Sequence, residues 1–385
     1  MAAGAPTRSV PASPEEAADA LRDVAAGGGA VRFAGGGTKR TWGAPATRDA
    51  VELSTLGLAR VLEHNAGDMT AVLEAGLPLA RAQETFAEAG QMLALDPPNP
   101  GGSATIGGVV ACADSGPLRH RYGAARDLLL GVRAALPDGA LVRSGGRVIK
   151  NVAGYDLPKL FAGSFGTLGM IVEVVVRLHP IPADRRTIVG AGADPEALGR
   201  AVSQLASAPL ELESLDVRWG DGRGAVLARV AGAVTEERAA SGAALLGASD
   251  LDVTIEEDDD ALWTGQRSAQ RSGEGTVVRV SALRSELAGV IRAAERVEAW
   301  VVGRAGLGLW WVTMPPRPPV DATAAVAELR AALAPRPCVV LDAPGEVRAA
   351  LDVWGETGPL GLMRRVKERF DPGEACNPGI FVGGI

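Results

Sequence analysis

Cysteine is scarce in this sequence: Cys112, Cys338 and Cys376 are scattered over 385 residues. No two of them have the Cys-x-x-Cys spacing that iron–sulfur clusters and structural zinc sites use. We therefore expect no metal site in this chain. So few cysteines, in an odd number, are typical of a protein kept in the reducing cytoplasm.

Long basic stretches and long apolar stretches are also lacking. The net charge is −7, and acidic and basic residues alternate without a Lys/Arg stripe dense enough to follow a nucleic-acid backbone. No apolar stretch is long enough to span a bilayer. Met1–Pro14 has neither the charged nor the apolar part of a signal peptide. We expect a cytoplasmic protein that binds no nucleic acid and contacts a membrane at most through partners.

The order of helix and strand signals predicts a first structural part. Ser13, Pro14 and Glu16 form a capping box that opens a helix running to about Val24. Short apolar or β-branched runs predict strands, and a Pro-Asp-Gly turn at 137–139 predicts a hairpin over 128–143. His179-Pro180-Ile181-Pro182 interrupts the pattern, so we place a domain boundary there.

A second part follows that boundary. Residues 187–255 have the strand–helix–strand–strand–helix–strand order of a ferredoxin-like unit, and a strand–helix–strand–helix–strand series runs from Thr276 to Leu341. The acidic run Glu256–Asp260 is predicted to cap the next helix. An amphipathic helix at 360–370 precedes the end.

Glycine is abundant where the candidate chemistry lies. Gly35-Gly36-Gly37-Thr38 directly follows a predicted strand, and three glycines permit positive φ angles and a concave row of N–H groups for a diphosphate. The segment is neither a P-loop nor a GxGxxG fingerprint, and a flexible turn is the alternative.

Two later segments have similar composition. In 101–108, two glycine pairs allow a flat or extended ligand to approach the backbone, and a helix capped by Thr105 is a compatible structural interpretation. In 150–171, a polar cluster, a short helix, a glycine-rich turn and a buried strand follow one another.

An ordered set of three motifs resembles the FAD domain of the vanillyl-alcohol-oxidase (PCMH-type) superfamily: RFAGGGTK, PPNPGGSATIGGVVA and KNVAGYDLPKLFAGSFGTLGMIVEV. The ending RRVKERFDPGEACNPGIFVGG is similar to that of the members that oxidise 2-hydroxy acids, among them the FAD-binding subunits of bacterial glycolate oxidases. The resemblance covers the first part and the tail well, and the middle only by layout. It implies an α+β protein with a two-part FAD-binding domain at 1–182, an α/β ferredoxin-like cap at 183–342, and a segment at 343–385 that packs back on the FAD domain.

The resemblance also implies which residues hold FAD. The FAD diphosphate is assigned to the glycine loop, Ala34, Gly35, Gly36, Gly37 and Thr38. The surroundings of the diphosphate and the dimethylbenzene side of the flavin are assigned to Ser103, Ile106, Gly107 and Gly108 of the second motif. The ribityl and flavin region is assigned to Ser115, Gly116 and Tyr122, and the adenine end to Gly169 and Ile171. Members of this family can tether flavin to histidine or cysteine. The glycine loop holds no histidine and Cys112 has small neighbours, so we predict non-covalent FAD.

Histidine is as scarce as cysteine, and this bears on catalysis. Oxidation of a 2-hydroxy acid needs a base, commonly histidine, and a cation for the carboxylate. The histidine motifs that catalytic relatives carry in their C-terminal half have no counterpart here, because no histidine follows His179. We leave the catalytic residues unassigned and predict an FAD-binding subunit of a glycolate (2-hydroxy acid) oxidase, working beside a catalytic flavoprotein subunit and an iron–sulfur subunit.

Two alternatives stay open at this point. One is a stand-alone FAD oxidoreductase for alcohols or hydroxy acids with a Lys or Tyr base, and the other is a structural subunit with little flavin. The last glycine-rich segment contains candidates for a substrate site: Lys150, Asn151, Tyr155, Asp156 and Lys159. The alternative is that these residues form a hydrogen-bonded scaffold that holds the loop. Candidates from the cap are Trp263, Arg267 and Arg304, whereas packing is the favoured role of Trp310 or Trp311 and of Trp354.

Overall fold

The computed structural model describes residues 8–148 and 155–385, which divide into two compact units. The first unit comprises the described residues of 8–115, 123–181 and 357–385, and the second comprises 116–122 and 182–356. The sequence predicts that the first part ends at residue 182 and the cap at residue 342, and in the structure the corresponding limits are residues 181 and 356. Residues 343–356 group with the second unit because Val353 accepts a hydrogen bond from the backbone N–H of Val340 at 2.8 Å.

Strands of the first unit form three sheets. A parallel sheet has the order β1-β3-β2, an antiparallel sheet has the order β4-β5-β9-β7-β8, and β10 pairs with β6. The predicted hairpin is confirmed as β7 and β8. The bounds are β1 Arg8–Ser9, β2 Val31–Ala34, β3 Val51–Ser54, β4 Val61–Asn65, β5 Thr70–Glu74, β6 Gln91–Met92, β7 Leu129–Ala135, β8 Leu141–Gly145, β9 Met170–Arg177 and β10 His179–Pro180.

Helices occur in both units. The bounds are α1 Pro14–Ala26, α2 Leu79–Ala87, α3 Ile106–Cys112, α4 Arg119–Tyr122, α5 Ala125–Leu128, α6 Pro158–Phe161, α7 Pro195–Ser207, α8 Thr235–Gly247, α9 Asp260–Ser268, α10 Leu287–Arg296, α11 Pro319–Leu333, α12 Gly345–Ala350 and α13 Leu360–Phe370. The predicted cap of α1 is confirmed for Ser13, whose Oγ accepts from the backbone N–H of Glu16; the Glu16 carboxylate accepts from the N–H of Ala12, one residue before the cap, and not from that of Ser13 as a capping box requires. Among the described residues, no helix has the length and apolar character that crossing a membrane requires.

The core of the first unit joins its beginning to its end. Leu21 of α1, Val31 of β2 and Leu53 of β3 pack with Cys376 from the C-terminal segment, and all four are buried. Burial raises the pKa of the Cys376 thiol well above its ordinary value. The last part of the chain is therefore built into the interior of this unit, next to the strand that leads to the glycine loop.

The second unit contains one eight-stranded antiparallel sheet in the order β14-β11-β13-β12-β16-β17-β15-β18. The ferredoxin-like order predicted for its first half is confirmed. The second half repeats it, because the turn at Gly308, with φ of +64°, makes two strands where the sequence predicts one. The bounds are β11 Arg185–Gly192, β12 Ser214–Gly220, β13 Arg223–Ala231, β14 Asp252–Glu256, β15 Thr276–Ser281, β16 Trp300–Arg304, β17 Leu309–Met314 and β18 Cys338–Asp342.

The predicted capping role of the acidic run is wrong for Asp259. Helix α9 does begin at the next residue, Asp260, but the Asp259 side chain makes no capping hydrogen bond. Its carboxylate accepts from the Arg229 guanidinium at 2.9 and 2.5 Å and from the Thr187 hydroxyl at 2.5 Å. A buried cation draws the carboxylate more strongly than the exposed N–H groups of a helix end.

Candidate functional site

An open cavity of about 920 Å³, including the solvent space at its mouth, lies in the first unit. Segments that are far apart in sequence form its wall: the glycine loop after β2, the first turns of α3, the start of β9 and the C-terminal residues Asn377 and Ile380. The predicted cofactor residues that line it are Ala34, Gly35, Gly36, Gly37, Thr38, Gly107, Gly108, Gly169 and Ile171.

The glycine loop passes against the backbone that precedes α3. A Cβ atom on Gly36 would overlap the carbonyl oxygen of Ser103, and one on Gly35 would overlap the Thr105 hydroxyl. Only Gly37 of the three glycines has a positive φ, +77°. Glycine is thus needed at positions 35 and 36 because of close approach, and the expectation of positive φ along the loop is correct for Gly37 alone.

Helix α3 forms the neighbouring wall. Thr105 caps it, as predicted, by accepting a hydrogen bond from the Gly108 N–H at 3.3 Å. A Cβ atom on Gly107 would lie 2.7 Å from the Ala75 Cβ, so this glycine lets the helix pack closely on the chain after β5. The structural interpretation and the ligand-binding interpretation of this motif are therefore compatible.

The other predicted cofactor residues are not among those that line this cavity. Ile106 is 1% exposed and packs in the core, and the carbonyl oxygen of Ser103 occupies the space that a Cβ on Gly36 would fill. Ser115 is buried, and its backbone N–H donates to the Asp114 carboxylate. Gly116 and Tyr122 belong to the second unit. There the Tyr122 hydroxyl donates to Glu213 at 3.1 Å, and burial, with Glu213 next in effect, raises the pKa of Tyr122 to about 12.

Lys39 is a cavity residue that the sequence reasoning missed. Its ammonium lies 3.0 Å from the Asp114 carboxylate, and the two side chains are 6% and 3% exposed. It also donates to the Thr38 hydroxyl at 3.3 Å. Its position directly after the glycine loop is the signal that could have identified it, since a cation beside a row of N–H groups suits a diphosphate.

Candidates for a substrate site have other partners or fall outside the described residues. Lys150 and Asn151 lie outside them. Tyr155 is 90% exposed, and Lys159 forms an ion pair with Asp156 at 2.6 Å. These last contacts fit the scaffold interpretation.

The cap candidates lie largely inside the second unit. The Trp263 indole donates to Thr187 at 2.8 Å, and Arg304 pairs with Asp216 at 2.9 Å, with both of these charged side chains fully buried. Burial raises the pKa of Asp216 to about 6, against the opposing effect of Arg304. Arg267 is half-buried and donates to the Thr264 hydroxyl. The residues interpreted as packing groups, Trp310 and Trp311, are both buried, and Trp354 is half-buried.

Replacement of His64 by alanine is expected to leave FAD content unchanged. The His64 ring lies 3.0 Å from the Gln91 side-chain oxygen and packs edge-on against Phe86, and it does not line the cavity. The flavin-to-protein ratio of the purified variant, from its absorbance spectrum, tests this. A ratio clearly below that of the wild type would show that His64 supports the cofactor.

Comparisons with known proteins support FAD as the cofactor. Residues 8–145 match the model of an FAD binding domain. Glycolate oxidase subunit GlcE of Escherichia coli is 40% identical over 32% of this chain, and the match spans 35% of that subunit. An uncharacterized FAD-linked oxidoreductase of Mycobacterium tuberculosis is 26% identical over 97% of this chain and 90% of its own length.

A solved structure supports the fold. An alkyldihydroxyacetonephosphate synthase superposes with a TM-score of 0.72 at 17% identity, over 96% of this chain and 76% of that one. The predicted α+β fold of the PCMH type and the predicted cofactor, FAD, are confirmed. Residues 8–145 form a PCMH-type FAD-binding domain, and the chain is similar to FAD-linked oxidoreductases.

Proposed function

We propose that this protein is the FAD-binding subunit of a multi-subunit oxidase for glycolate or a related 2-hydroxy acid. The observation that carries the proposal is the cavity of the first unit, whose wall combines side-chain-free loops with a buried lysine. A flat and partly anionic ligand fits such a wall, because glycine removes steric barriers and Lys39 supplies a cation.

The residues of the cavity fit FAD, which supplies a hydride acceptor when bound. The N–H groups of Gly35–Thr38 would hold the diphosphate, and Lys39 would offset part of its charge without leaving Asp114. Gly107 and Gly108 leave room beside the loop, and Gly169 and Ile171 would contact the adenine end through their backbone. We propose non-covalent attachment, since the glycine loop offers no histidine, and we assign no covalent role to Cys112, which is half-buried and lines the cavity.

Relatives that match part of this chain support the substrate class. They include glycolate oxidase subunit GlcD of Bacillus subtilis, a D-lactate dehydrogenase of Archaeoglobus fulgidus and a D-2-hydroxyglutarate dehydrogenase of Xanthomonas citri. Glycolate, lactate and 2-hydroxyglutarate are all 2-hydroxy acids. Each of these matches covers less than half of the relative, so the substrate belongs to the proposal.

The residue inventory supports partner subunits. No histidine follows His179, so a catalytic flavoprotein subunit would supply the base, and no cysteine pair has cluster spacing, so an iron–sulfur subunit would carry electrons onward. We place the complex in the cytoplasm, with any membrane contact made by the partners.

One observation favours a second candidate function. The match to the FAD-linked oxidoreductase of Mycobacterium tuberculosis spans both proteins almost entirely, and that name mentions no subunit. A stand-alone FAD oxidoreductase with a Lys or Tyr base would be consistent with it.

Anaerobic reduction by substrate separates the two functions. We expect glycolate or D-lactate to bleach the flavin of the complex purified from its source and to leave the flavin of the isolated chain oxidised. Dithionite added to the isolated chain is the control, because it must bleach the flavin if that flavin is reducible. Bleaching of the isolated chain by substrate at the rate of the complex would overturn the subunit assignment in favour of the stand-alone enzyme.

A further inference from the structure

The C-terminal segment contributes a side chain to the cavity wall between two loops. We propose that Asn377 is a positioning residue that holds the glycine loop and the Gly166 turn together for cofactor binding. This inference rests on the proposed FAD site and adds a residue to it.

The contacts of the Asn377 side chain carry the inference. Its Oδ1 accepts from the backbone N–H of Phe33 at 2.9 Å, and its Nδ2 donates to the backbone carbonyl of Phe165 at 2.6 Å. Phe33 leads into the glycine loop, and Phe165 leads into Gly166; both line the cavity. Asn377 is 8% exposed. A primary amide has one acceptor and one donor end, which is what a bridge between an N–H and a carbonyl requires.

The backbone around Asn377 fixes this side chain in place. Its N–H donates to the Val31 carbonyl at 2.9 Å, and the Val31 N–H donates to the Ala375 carbonyl at 2.7 Å. The segment therefore pairs with β2 in parallel, through a bridge between Val31 and Cys376. The φ of Asn377 is +44°, in the left-handed region that asparagine and glycine tolerate best. A glycine at this position therefore removes the amide and keeps the backbone conformation.

The consequence is that the geometry of the cavity depends on a residue outside the region matched to the FAD-binding domain, because that match ends at residue 145. Without the amide, the N–H of Phe33 and the carbonyl of Phe165 each lose this part-buried hydrogen bond, and the two loops are no longer linked by this side chain. The free apoprotein tolerates such a change better than the complex with FAD, since the ligand needs both loops at one separation.

The test is Asn377→Gly, with Asn377→Asp beside it. We expect Asn377→Gly to raise the Kd for FAD, measured by quenching of flavin fluorescence on titration of apoprotein, by about tenfold or more. The thermal midpoint of its apoprotein should stay close to that of the wild type. Asn377→Asp keeps the acceptor for Phe33 but opposes the Phe165 carbonyl with an oxygen, so we expect it to bind FAD at least as weakly.

Glu374→Gly is the matched control. Glu374 has a φ of +50° in the same segment, is exposed, and does not line the cavity, so its replacement should leave the Kd for FAD unchanged. Asn377→Gly with a wild-type Kd overturns the inference. A fall in the apoprotein's thermal midpoint overturns it too, if it corresponds to a loss of folding free energy as large as the loss of binding free energy. If wild-type apoprotein itself binds no FAD, the proposed function fails first.

Discussion

Replacement of Gly36 by valine is expected to yield purified protein without bound FAD. Any Cβ atom at this position would overlap the Ser103 carbonyl oxygen, and valine adds two methyl groups on the same side. The glycine loop must then move away from the backbone before α3, which displaces the N–H groups proposed to bind the diphosphate. Because the cavity wall depends on this approach, we expect a loss of FAD retention and not a moderate change in affinity.

The measurement is the flavin-to-protein ratio after purification, followed by incubation with excess FAD and gel filtration. Gly67→Val is the matched control, since Gly67 is exposed, has an ordinary φ, and a Cβ there would meet only the Asn65 side chain at 3.6 Å. Circular dichroism of the Gly36→Val protein shows whether it is folded. A folded Gly36→Val protein with wild-type flavin content would refute the assignment of this loop.

The glycine-rich segments could be found from the sequence because their composition is unusual and local. Strand, turn and cap signals also act over a few residues, so the Ser13 cap of α1, the β7–β8 hairpin and the Thr105 cap were predictable. The same information shows that positions 35 and 36 lack side chains, but not that Ser103 is what approaches Gly36. Such a reason depends on a contact between segments about seventy residues apart, which no local pattern contains.

The residues that the sequence did not reveal act across even longer separations. Phe33 and Asn377 are 344 positions apart, and their hydrogen bond exists only in the folded chain. Arg304 shows the opposite error, because it was a candidate for the substrate site from the cap, yet it forms a fully buried pair with Asp216. Charge type can be read from a sequence, but the partner that neutralises the charge cannot.

Replacement of Lys367 by methionine is expected to lower the free energy of unfolding more than any of the other replacements discussed. The Lys367 ammonium donates to the Asp371 carboxylate at 2.6 Å and to the backbone carbonyls of Thr167 and Cys376 at 2.8 and 3.0 Å. Methionine keeps the apolar stem but leaves Asp371, whose side chain is 0% exposed, without its cation. Removing one partner of a buried ion pair typically costs about 3–5 kcal/mol, because the remaining charge stays desolvated.

The free energy of unfolding, measured by urea denaturation followed by circular dichroism, is the quantity to compare. Arg365→Met serves as the control, since Arg365 lies on the exposed face of α13 and its loss should change that free energy by less than about 0.5 kcal/mol. The double variant Lys367→Met/Asp371→Asn should regain only part of the loss, because the buried carboxylate charge is then gone, but a single amide oxygen can keep only one of the two hydrogen bonds that Asp371 accepts from the backbone N–H groups of Ala375 and Cys376. A Lys367→Met protein as stable as the Arg365→Met protein would show that the pair does not anchor the C-terminal segment. The placement of Asn377 at the cavity would then need another cause, since residues 371–377 follow directly from this anchor.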